Sequence, residues 1–478
     1  MEHENRETTR TLLVENMFTG VNAGDEGGLA GGSSSVTAVV VLGAFFATCG
    51  QFGYGCASGY SSSAESGIIE DLGLSTAEYS FFASILTIGG MLGAIINGGV
   101  ADLLGRRGAM WLSAVICIIG WNVVHFAKGI WWLDIGRLLM GFGYGILIYV
   151  ANVYIAEITP SKIRGCFVAA NAMMLCLGIS LMLFIGNIFT WRNLAIVGLL
   201  PSIVQFIGIF FIPESPRWLA KISRQRETEV ALQRLRGKNI DISPELTEIL
   251  DYTKTFQLLS KGGILDLLQR RYARSLTIGV GLISLIQFGG NNGILYYASS
   301  IFEDAGSLAS FGTMAMAIIQ IPLTALSALL VDRCGRRPLL MVSAAGTCLG
   351  NILVGLAFLL QDLHRQKEIT AILVLSGILV YSAFLSSGLS SAPWILMSEI
   401  FPVNVRGSAG SLVVFSNCFS AWIVSFTFSF IFEWSSAGVF FIYAAVCGLT
   451  VVFVAILVPE TKGRSLEEIQ ASLTGLLQ

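Results

Sequence analysis

A chain of 478 residues with 54% hydrophobic and 13% charged residues and a mean hydropathy of +0.72 is far more apolar than a soluble globular protein, in which about a quarter of residues are charged. A net charge of −2 gives no basic field, so we expect no nucleic-acid partner. The nine cysteines form neither a CxxC pair nor a Cys/His cluster, which excludes an obvious zinc site or disulfide framework, and we expect no cofactor. This composition is typical of an integral membrane protein.

Twelve apolar stretches follow the polar first 35 residues, and each is close to the length of about 20 residues that a helix needs to cross the hydrocarbon core. Lipid offers no partner to backbone polar groups, so runs of this length are helices. The sequence therefore predicts an all-α membrane protein with twelve transmembrane helices. The predicted spans are 36–58, 79–101, 109–127, 130–154, 166–187, 193–212, 274–299, 311–331, 339–360, 370–394, 408–431 and 437–458.

The Lys and Arg residues indicate the orientation of these spans. Nearly all of the 29 Lys and Arg residues lie in alternate loops and tails on one side, whereas Lys128, Arg192, Arg365 and Lys367 lie in the loops on the other. The positive-inside rule therefore predicts that both termini are cytosolic. An even number of spans independently requires both termini on one side. Whether the membrane is vacuolar or the plasma membrane stays open.

Three pairs of segments recur in the same order at a nearly constant offset, which predicts a duplicated six-helix unit. The pairs are ADLLGRR (101–107) with VDRCGRR (331–337), AEITPSKIRG (156–165) with SEIFPVNVRG (398–407), and PESPRW (213–218) with PETKGR (459–464).

The duplication predicts two pseudo-symmetric six-helix bundles, and Thr228–Leu235 has the periodicity of a helix in the charged stretch between them. The predicted organisation is a disordered cytosolic tail at 1–35, bundles at 36–212 and 274–458, a cytosolic helical linker at 213–273 and a cytosolic tail at 459–478.

Many transporters consist of two similar bundles related by an axis along the membrane normal. A central site between the bundles opens alternately to either side of the membrane. The charged motifs resemble those of the sugar porter family of the major facilitator superfamily. QFGYGCASGYSS and QIPLTAL resemble segments of the plant dehydration-responsive-type monosaccharide transporters. The resemblance runs from about residue 40 to 468 and implies a major facilitator fold that moves hexoses by alternating access.

The repeated motifs combine acidic with basic residues, although topology alone requires only Lys or Arg. Ion pairs that form in one state and break in another can act as a switch, and the resemblance implies a cytosolic gate that stabilises the outward-open state. The alternative is that these charges serve topology and remain solvated. The predicted network contains Asp102, Arg106, Arg107, Glu157, Arg164, Arg217, Asp332, Arg336, Arg337, Glu399 and Arg406.

Polar and aromatic residues within the spans indicate a substrate cavity, because amides are costly in lipid and suit the hydroxyls of a neutral sugar. An aromatic ring packs against the C–H surface of a sugar. Any single amide could instead join two helices. The resemblance implies sugar binding by most of the following residues, and the full predicted set is Gln287, Asn292, Tyr297, Gln320, Trp394 and Asn417. Ala172 and Ile286 stand where the family has glutamines, so the identity of the sugar stays open.

Gly55 in FGYG stands where the resemblance places an aspartate in proton-coupled members. Without that carboxylate, facilitated diffusion is the leading mechanism, and proton-coupled symport or antiport is the alternative. Asp134, three residues before Arg137 and on the same helical face, is a candidate proton site. The other interpretation is a static ion pair between these two residues.

The sequence favours a transporter over two other classes of protein. No nucleophile, metal cluster or pair of carboxylates lies at membrane depth and no P-loop occurs, so we expect neither an enzyme nor an ATP-driven pump. A sensor that binds sugar without net transport would share the same site, but tails of about 35 and 20 residues favour a transporter. The expected partners are a small sugar and the lipid bilayer, with no obligatory protein partner.

Overall fold

The computed structural model describes residues 37–160, 164–237, 240–258, 270–306, 309–363, 367–401 and 406–462. Within these ranges every regular element is a helix. The first half contains α1 Ala38–Leu72, α2 Thr76–Leu103, α3 Gly105–His125, α4 Ile130–Ile158, α5 Arg164–Ile185 and α6 Trp191–Gly208. Three shorter helices follow, α7 Pro216–Lys221, α8 Gln225–Arg236 and α9 Ser243–Leu258.

The second half has the same number of membrane segments, but two of them are interrupted. The elements are α10 Arg270–Phe288, α11 Asn291–Tyr296, α12 Ala298–Asp304, α13 Ala309–Cys334, α14 Arg336–Asp362, α15 Lys367–Phe384, a π-helix Leu385–Leu389, α16 Ala392–Ile400, α17 Arg406–Trp434 and α18 Ser436–Leu457.

Eleven helical stretches in the described ranges are long and apolar enough to cross a membrane, and Ala170–Ile185 within α5 is a shorter apolar helix. Together they occupy the twelve predicted positions. The prediction of an all-α membrane protein is confirmed. We call the end of the molecule that carries the two GRR motifs the motif end, and the other the opposite end.

The predicted end of the first span, at residue 58, was wrong, because α1 continues to Leu72. The predicted span ended just before the polar sequence GYSSSAESG, but the fold buries Ser61, Ser62 and Glu65 against neighbouring helices. The helix ends at Gly73, which has a φ of 62° and lies in the left-handed region that favours glycine. Tertiary packing has therefore overridden the local polarity of the sequence.

Glycines bring α1 and α5 into direct backbone contact. A Cβ atom built on Gly55 would lie 2.1 Å from the carbonyl oxygen of Leu175, and one on Gly178 would lie 2.2 Å from that of Phe52. Neither position can hold a side chain at this helix separation. Small residues at such contacts are a usual means of packing helices in lipid.

The short helix α8 confirms the predicted helical periodicity of Thr228–Leu235. Its residue Leu232 packs in a small apolar cluster with Ala220, Ile242 and Ile249. The carbonyl oxygen of Leu235 accepts a hydrogen bond of 2.5 Å from the Thr37 hydroxyl at the start of α1. The helices between the two halves therefore contact the motif end of the first half.

We expect Gly55→Ala to lower the thermal unfolding temperature of the purified protein by several degrees, because the added methyl group forces α1 and α5 apart. Overpacking of this kind costs about 1–3 kcal/mol. Gly98→Ala in α2 is the matched control, because a Cβ atom there meets no atom within 4 Å. That variant should be neutral, or stabilised by up to about 1 kcal/mol through helix propensity. Equal unfolding temperatures for the two variants would contradict the assigned contact.

Candidate functional site

The seventh membrane segment is interrupted between two of the predicted substrate residues, Gln287 and Asn292. The break lies at Gly289 and Gly290, between α10 and α11. Gly290 has a φ of 98°, and a Cβ atom on it would lie 2.4 Å from the ring of Tyr443. Backbone conformation and space therefore both require glycine here. Interrupted helices are where transporters of this architecture form their substrate sites.

The Gly289 carbonyl oxygen, which the break frees from the helix, accepts hydrogen bonds from other segments. Asn351 Nδ2 donates to it at 3.4 Å and the Tyr381 hydroxyl at 3.3 Å. These donors come from α14 and α15, so the break is held by neighbouring helices. Irregular backbone at membrane depth requires such internal partners.

Two of the predicted substrate residues are in direct contact. Gln287 Nε2 on α10 donates to Asn417 Oδ1 on α17 at 2.8 Å, and Asn291 Nδ2 lies 3.5 Å from Gln287 Oε1. Beside them the hydroxyls of Ser284 and Ser416 are 2.9 Å apart. An amide has two donor hydrogens and two acceptor lone pairs, so each member of the pair keeps capacity for a further polar ligand.

Tyr297 is less available to a ligand in this conformation. Its hydroxyl donates to the Ser425 carbonyl oxygen at 3.2 Å, and its ring stacks on Phe428 with centroids 4.9 Å apart. The side chain is only 2% exposed. Tyr297 therefore joins α11 to α17, and its predicted role in substrate binding stays a prediction.

Gln320 lies on the face of α13 that contacts the first half. Ala317 and Thr324, three residues before it and four after it, share this face and contact α5, where the Ser180 hydroxyl donates to the Ala317 carbonyl oxygen at 3.1 Å. The Gln320 side chain is buried. A polar side chain on the contact face between the halves is well placed to sense a ligand held between them.

The tenth membrane segment contains the second interruption. The π-helix Leu385–Leu389 separates α15 from α16 and contains the buried Ser386. Trp394 follows in the first turn of α16 and is 40% exposed. A π-helix inserts an extra residue into a turn and is frequent at functional sites. Asn292, the remaining predicted residue, lies partly buried on α11.

The acidic residues of the second repeated motif pair with the GRR arginines of their own half. Arg106 Nε donates to Glu157 Oε2 at 2.9 Å, and Arg336 Nη2 donates to Glu399 Oε1 at 2.9 Å. All four side chains are at most 18% exposed. The equivalent pairs in the two halves confirm that the repeated motifs form repeated structure.

Further contacts complete the network at the motif end. Asp102 Oδ1 lies 3.6 Å from Arg106 Nη1 and accepts a hydrogen bond from Lys221 at 2.5 Å. Arg107 donates to the Phe210 carbonyl oxygen at 3.2 Å, and Arg337 to that of Ala455.

Arg217 is exposed. The side chains of Arg164, Asp332 and Arg406 lie outside the described part, so their predicted gating roles stay predictions. The ion pairs described among the motif residues join residues of one half.

Two glutamates that the sequence analysis left out of the network accept hydrogen bonds from the starts of α3 and α14. Glu214 Oε1 accepts from the backbone N–H groups of Arg106 and Arg107 at 3.1 Å, and Glu460 Oε1 from that of Arg336 at 3.1 Å. A carboxylate here satisfies N–H groups that have no partner within the helix and interacts favourably with its dipole. The matched dipeptides Pro213-Glu214 and Pro459-Glu460 were the signal that could have identified them.

The glycines of the GRR motifs make room for these glutamates. Gly105 and Gly335 have φ angles of 81° and 90°. A Cβ atom on Gly105 would lie 2.5 Å from Glu214 Oε2, and one on Gly335 would lie 2.8 Å from Glu460 Oε2. Positive φ and the close carboxylate both select glycine, so one arrangement explains two of the repeated motifs.

The two glutamates differ in their electrostatic environment. Burial raises the pKa of Glu214 above its ordinary value and outweighs the three backbone N–H donors that lower it. At Glu460 burial also acts to raise the pKa, but four backbone N–H donors together hold it below its ordinary value. Acid therefore protonates the first-half carboxylate more readily than its counterpart in the second half.

The expected static ion pair between Asp134 and Arg137 is not formed. Arg137 donates to the Ala57 carbonyl oxygen at 2.7 Å and to the Ser61 hydroxyl at 2.6 Å, and it lies over the ring of Phe82. Among the described residues the buried Oδ1 atom of Asp134 has no hydrogen-bond partner. The guanidinium turns toward α1, which supplies a carbonyl oxygen, a hydroxyl group and the ring of Tyr60 as partners. The role of Asp134 as a proton site stays a prediction.

In the described ranges, twelve membrane segments, two of them interrupted, an amide pair beside one interruption and a duplicated set of charged motifs define a transporter of the major facilitator class. The family model described as "Sugar (and other) transporter" matches residues 36–473. The chain belongs to this family of sugar transporters. This membership confirms a membrane transporter rather than an enzyme.

Plant proteins of similar sequence agree with this membership. The Arabidopsis thaliana protein named Sugar transporter ERD6-like 7 is 48% identical over 93% of this chain and 96% of its own length. Sugar transporter ESL1 of the same plant is 49% identical over 93% of this chain and 94% of its own length. The expected similarity to the plant dehydration-responsive-type transporters is thus confirmed.

Solved structures give the same fold. The proton:xylose symporter XylE bound to 6-bromo-6-deoxy-D-glucose is 26% identical, with a TM-score of 0.75 over 92% of this chain and 100% of that one. A partially occluded inward-open conformation of XylE from E. coli is 25% identical, with a TM-score of 0.76 over 90% of this chain and 100% of that one. The predicted major facilitator fold is confirmed.

We expect Glu157→Gln to weaken closure of the motif end, because the largely buried Arg106 loses the carboxylate that it holds at 2.9 Å and keeps only the more distant Asp102, so that α4 is fixed less firmly against the α2–α3 turn. The population should shift toward the state open at that end while intrinsic sugar affinity changes little. Labelling of a cysteine introduced in the cavity, measured from the motif end, should accelerate by at least about fivefold. Glu227→Gln removes an exposed pair with Arg224 and serves as the control. Equal labelling rates in the two variants would contradict the gate.

Proposed function

We propose that this chain moves a monosaccharide, a hexose in the first instance, across the membrane by facilitated diffusion through alternating access. The observation that carries the proposal is the hydrogen-bonded amide pair of Gln287 and Asn417 beside an interrupted helix. The sugar-transporter names of the plant relatives and the sugar bound to the solved XylE structure support it. Uptake of labelled hexoses into proteoliposomes tests transport directly, and binding without uptake would instead favour a sugar sensor.

The absence of obligatory proton coupling is supported by the contact between α1 and α5. Gly55 stands at the position expected for a proton-carrying carboxylate, and the Leu175 carbonyl oxygen leaves no room for any side chain there. Arg137 has uncharged partners on α1 instead. Coupling requires a group whose protonation changes the equilibrium between the two states, and Gly55 supplies none.

Proton-coupled transport is the second candidate, and one observation favours it. Asp134 is 6% exposed, and its Oδ1 atom has no hydrogen-bond partner among the described residues. A buried carboxyl group of this kind readily changes its protonation state with its surroundings. XylE, which has the same fold, is named as a proton:xylose symporter.

The orientation that we propose places the motif end and both termini in the cytosol. The distribution of Lys and Arg supports it, since few of these residues lie in the loops of the opposite end. The membrane would be vacuolar or the plasma membrane. Antibody access to a tag on either terminus in intact and permeabilised vesicles tests the orientation.

We expect Asn417→Ala to leave a folded, membrane-inserted protein that binds hexose about tenfold more weakly or worse. A recognising amide is removed, and a lost hydrogen bond of about 1–3 kcal/mol corresponds to that range. Equilibrium binding of labelled glucose to the purified protein measures it. Asn122→Ala is the control, because among the described residues that amide donates to the Ile118 carbonyl oxygen of its own helix, at 2.8 Å. Unchanged affinity in Asn417→Ala would remove this residue from the site.

We expect a pH gradient alone not to concentrate sugar in proteoliposomes, because no carboxylate occupies the position of Gly55. Sugar should run down its own gradient in either direction, and Asp134→Asn should leave that equilibration intact. Accumulation measured after a pH jump is the test. Uphill uptake that Asp134→Asn abolishes would establish the second candidate instead.

A further inference from the structure

The opposite end of the molecule is closed by contacts between the two halves. The Ser62 hydroxyl on α1 lies 3.0 Å from the Ser299 hydroxyl on α12 and accepts a hydrogen bond of 3.0 Å from the Ser299 backbone N–H. Nearby, the rings of Tyr79 on α2 and Tyr297 meet edge to face with centroids 6.3 Å apart. In alternating access these contacts must separate when that end opens.

A carboxyl group is buried in this closure. Glu65 lies three residues after Ser62, on the same face of α1, and is 8% exposed. Its Oε2 atom is buried and has no hydrogen-bond partner among the described residues. Ser300 on α12 is its hydrogen-bonding neighbour, and the charges of Glu303 and Asp304 act on it from the same helix. Glu65 therefore sits between the halves and faces two further acids.

Among the described residues, the groups that face Glu65 supply no positive charge. Besides Glu303 and Asp304 they are the phenols of Tyr79 and Tyr297. α5 contacts this part of α1 through its backbone, where the Met182 carbonyl oxygen accepts from the Ser63 hydroxyl at 3.0 Å.

The cations nearest along α1 have other partners. Arg137 is bound to Ala57 and Ser61, closer to the membrane centre, and Arg192 at the start of α6 pairs with Asp71 at 3.1 Å. An ionised carboxylate buried without a cation is costly, whereas the neutral carboxyl is tolerated.

We propose that Glu65 is a proton-operated latch of the opposite end, closed when its carboxyl group is neutral and released when that group ionises. The proposal rests on the transport cycle proposed above, in which this end opens and closes. The ligand of the latch is a proton from the compartment that the opposite end faces. Sequence analysis missed this residue because the predicted first span ended before it.

The sign of the pH effect follows from linkage. Opening exposes Glu65 to water, whereas closure buries it beside two acids, so closure binds a proton. At pH values low enough for Glu65 to be protonated in both the open and the closed state, pH does not change the closing equilibrium. Closure is progressively lost as pH rises through the range in which Glu65 ionises in the closed state. For one group the closing equilibrium changes by at most about tenfold per pH unit. Burial also raises the pKa values of Glu303 and Asp304, which reinforces the same direction.

A latch of this kind regulates transport without driving it. Glu65 lies near the opposite end of α1 and becomes exposed only when that end opens, so it exchanges protons with one compartment. A proton taken up and returned on the same side transfers no gradient energy to the sugar. The proposal is therefore compatible with facilitated diffusion, and acid in that compartment would slow the opening of that end.

The test measures the distance between spin labels on the two halves in lipid nanodiscs without sugar. Labels are placed by Phe126→Cys and Leu363→Cys, two exposed positions in opposite-end loops of different halves, with Cys166 and Cys334 replaced by Ser. Between about pH 5 and about pH 8 the short-distance population of the parent protein should fall as pH rises. Glu65→Gln should hold the short distance at every pH, whereas Glu70→Gln, an exposed acid on the same helix, should titrate like the parent.

Two results would overturn the latch. The first is a short-distance population of the parent protein that does not change with pH. This result is sufficient by itself, so the test does not depend on the folding of a variant. The second is a short-distance population of Glu65→Gln that changes with pH as it does in the parent. Because no sugar is present, either result leaves the proposed transport function to be judged by uptake. Glu303→Gln combined with Asp304→Asn should move the parent titration to lower pH, since two like charges are removed.

Discussion

The backbone contact between α1 and α5 at Gly55 determines which groups can contact the buried Arg137 in the first half. Because the Leu175 carbonyl oxygen occupies the space of a side chain, α1 cannot offer a carboxylate to Arg137 at that level. The guanidinium instead contacts the Ala57 carbonyl oxygen, the Ser61 hydroxyl and aromatic rings, and its Nε atom has no hydrogen-bond partner among the described residues. Among the described residues this buried cation is held by uncharged groups, and no carboxylate is hydrogen-bonded to it.

The duplicated motifs have a shared physical basis in the caps of α3 and α14. In each half a glycine with positive φ lets a glutamate from the end of the half approach the first N–H groups of the helix. The arginine that follows then reaches the glutamate of the second motif, Glu157 or Glu399. Three segments distant in sequence are thus joined by hydrogen bonds in one unit, which explains why they recur together.

Hydropathy and charge were sufficient to predict the number of spans and their class, because a lipid environment imposes length and apolarity on each helix. They could not predict the breaks at Gly290 and in Leu385–Leu389, since each break lies within a longer run that is still apolar enough on average to cross a membrane, and the interruption depends on packing. Nor could they extend α1 past its serines to Glu65. In the predicted charged network, the sequence did not indicate which residues pair, whereas the fold brings Arg106 to Glu157 from another helix. Periodicity carries no information on contacts between segments that are distant in the sequence, so these contacts could not be predicted.

The two ends of the molecule are held by different kinds of interaction, and this difference decides where pH can act. At the motif end the described carboxylates have guanidinium or backbone N–H partners, so each charge is compensated in place. At the opposite end the halves meet through hydroxyls, rings and the carboxyl group of Glu65, which faces acids. A compensated ion pair changes little near neutral pH, whereas an uncompensated buried acid changes its charge when its surroundings open. The proposed latch therefore acts at the opposite end, and it requires no carboxylate at the centre of the membrane.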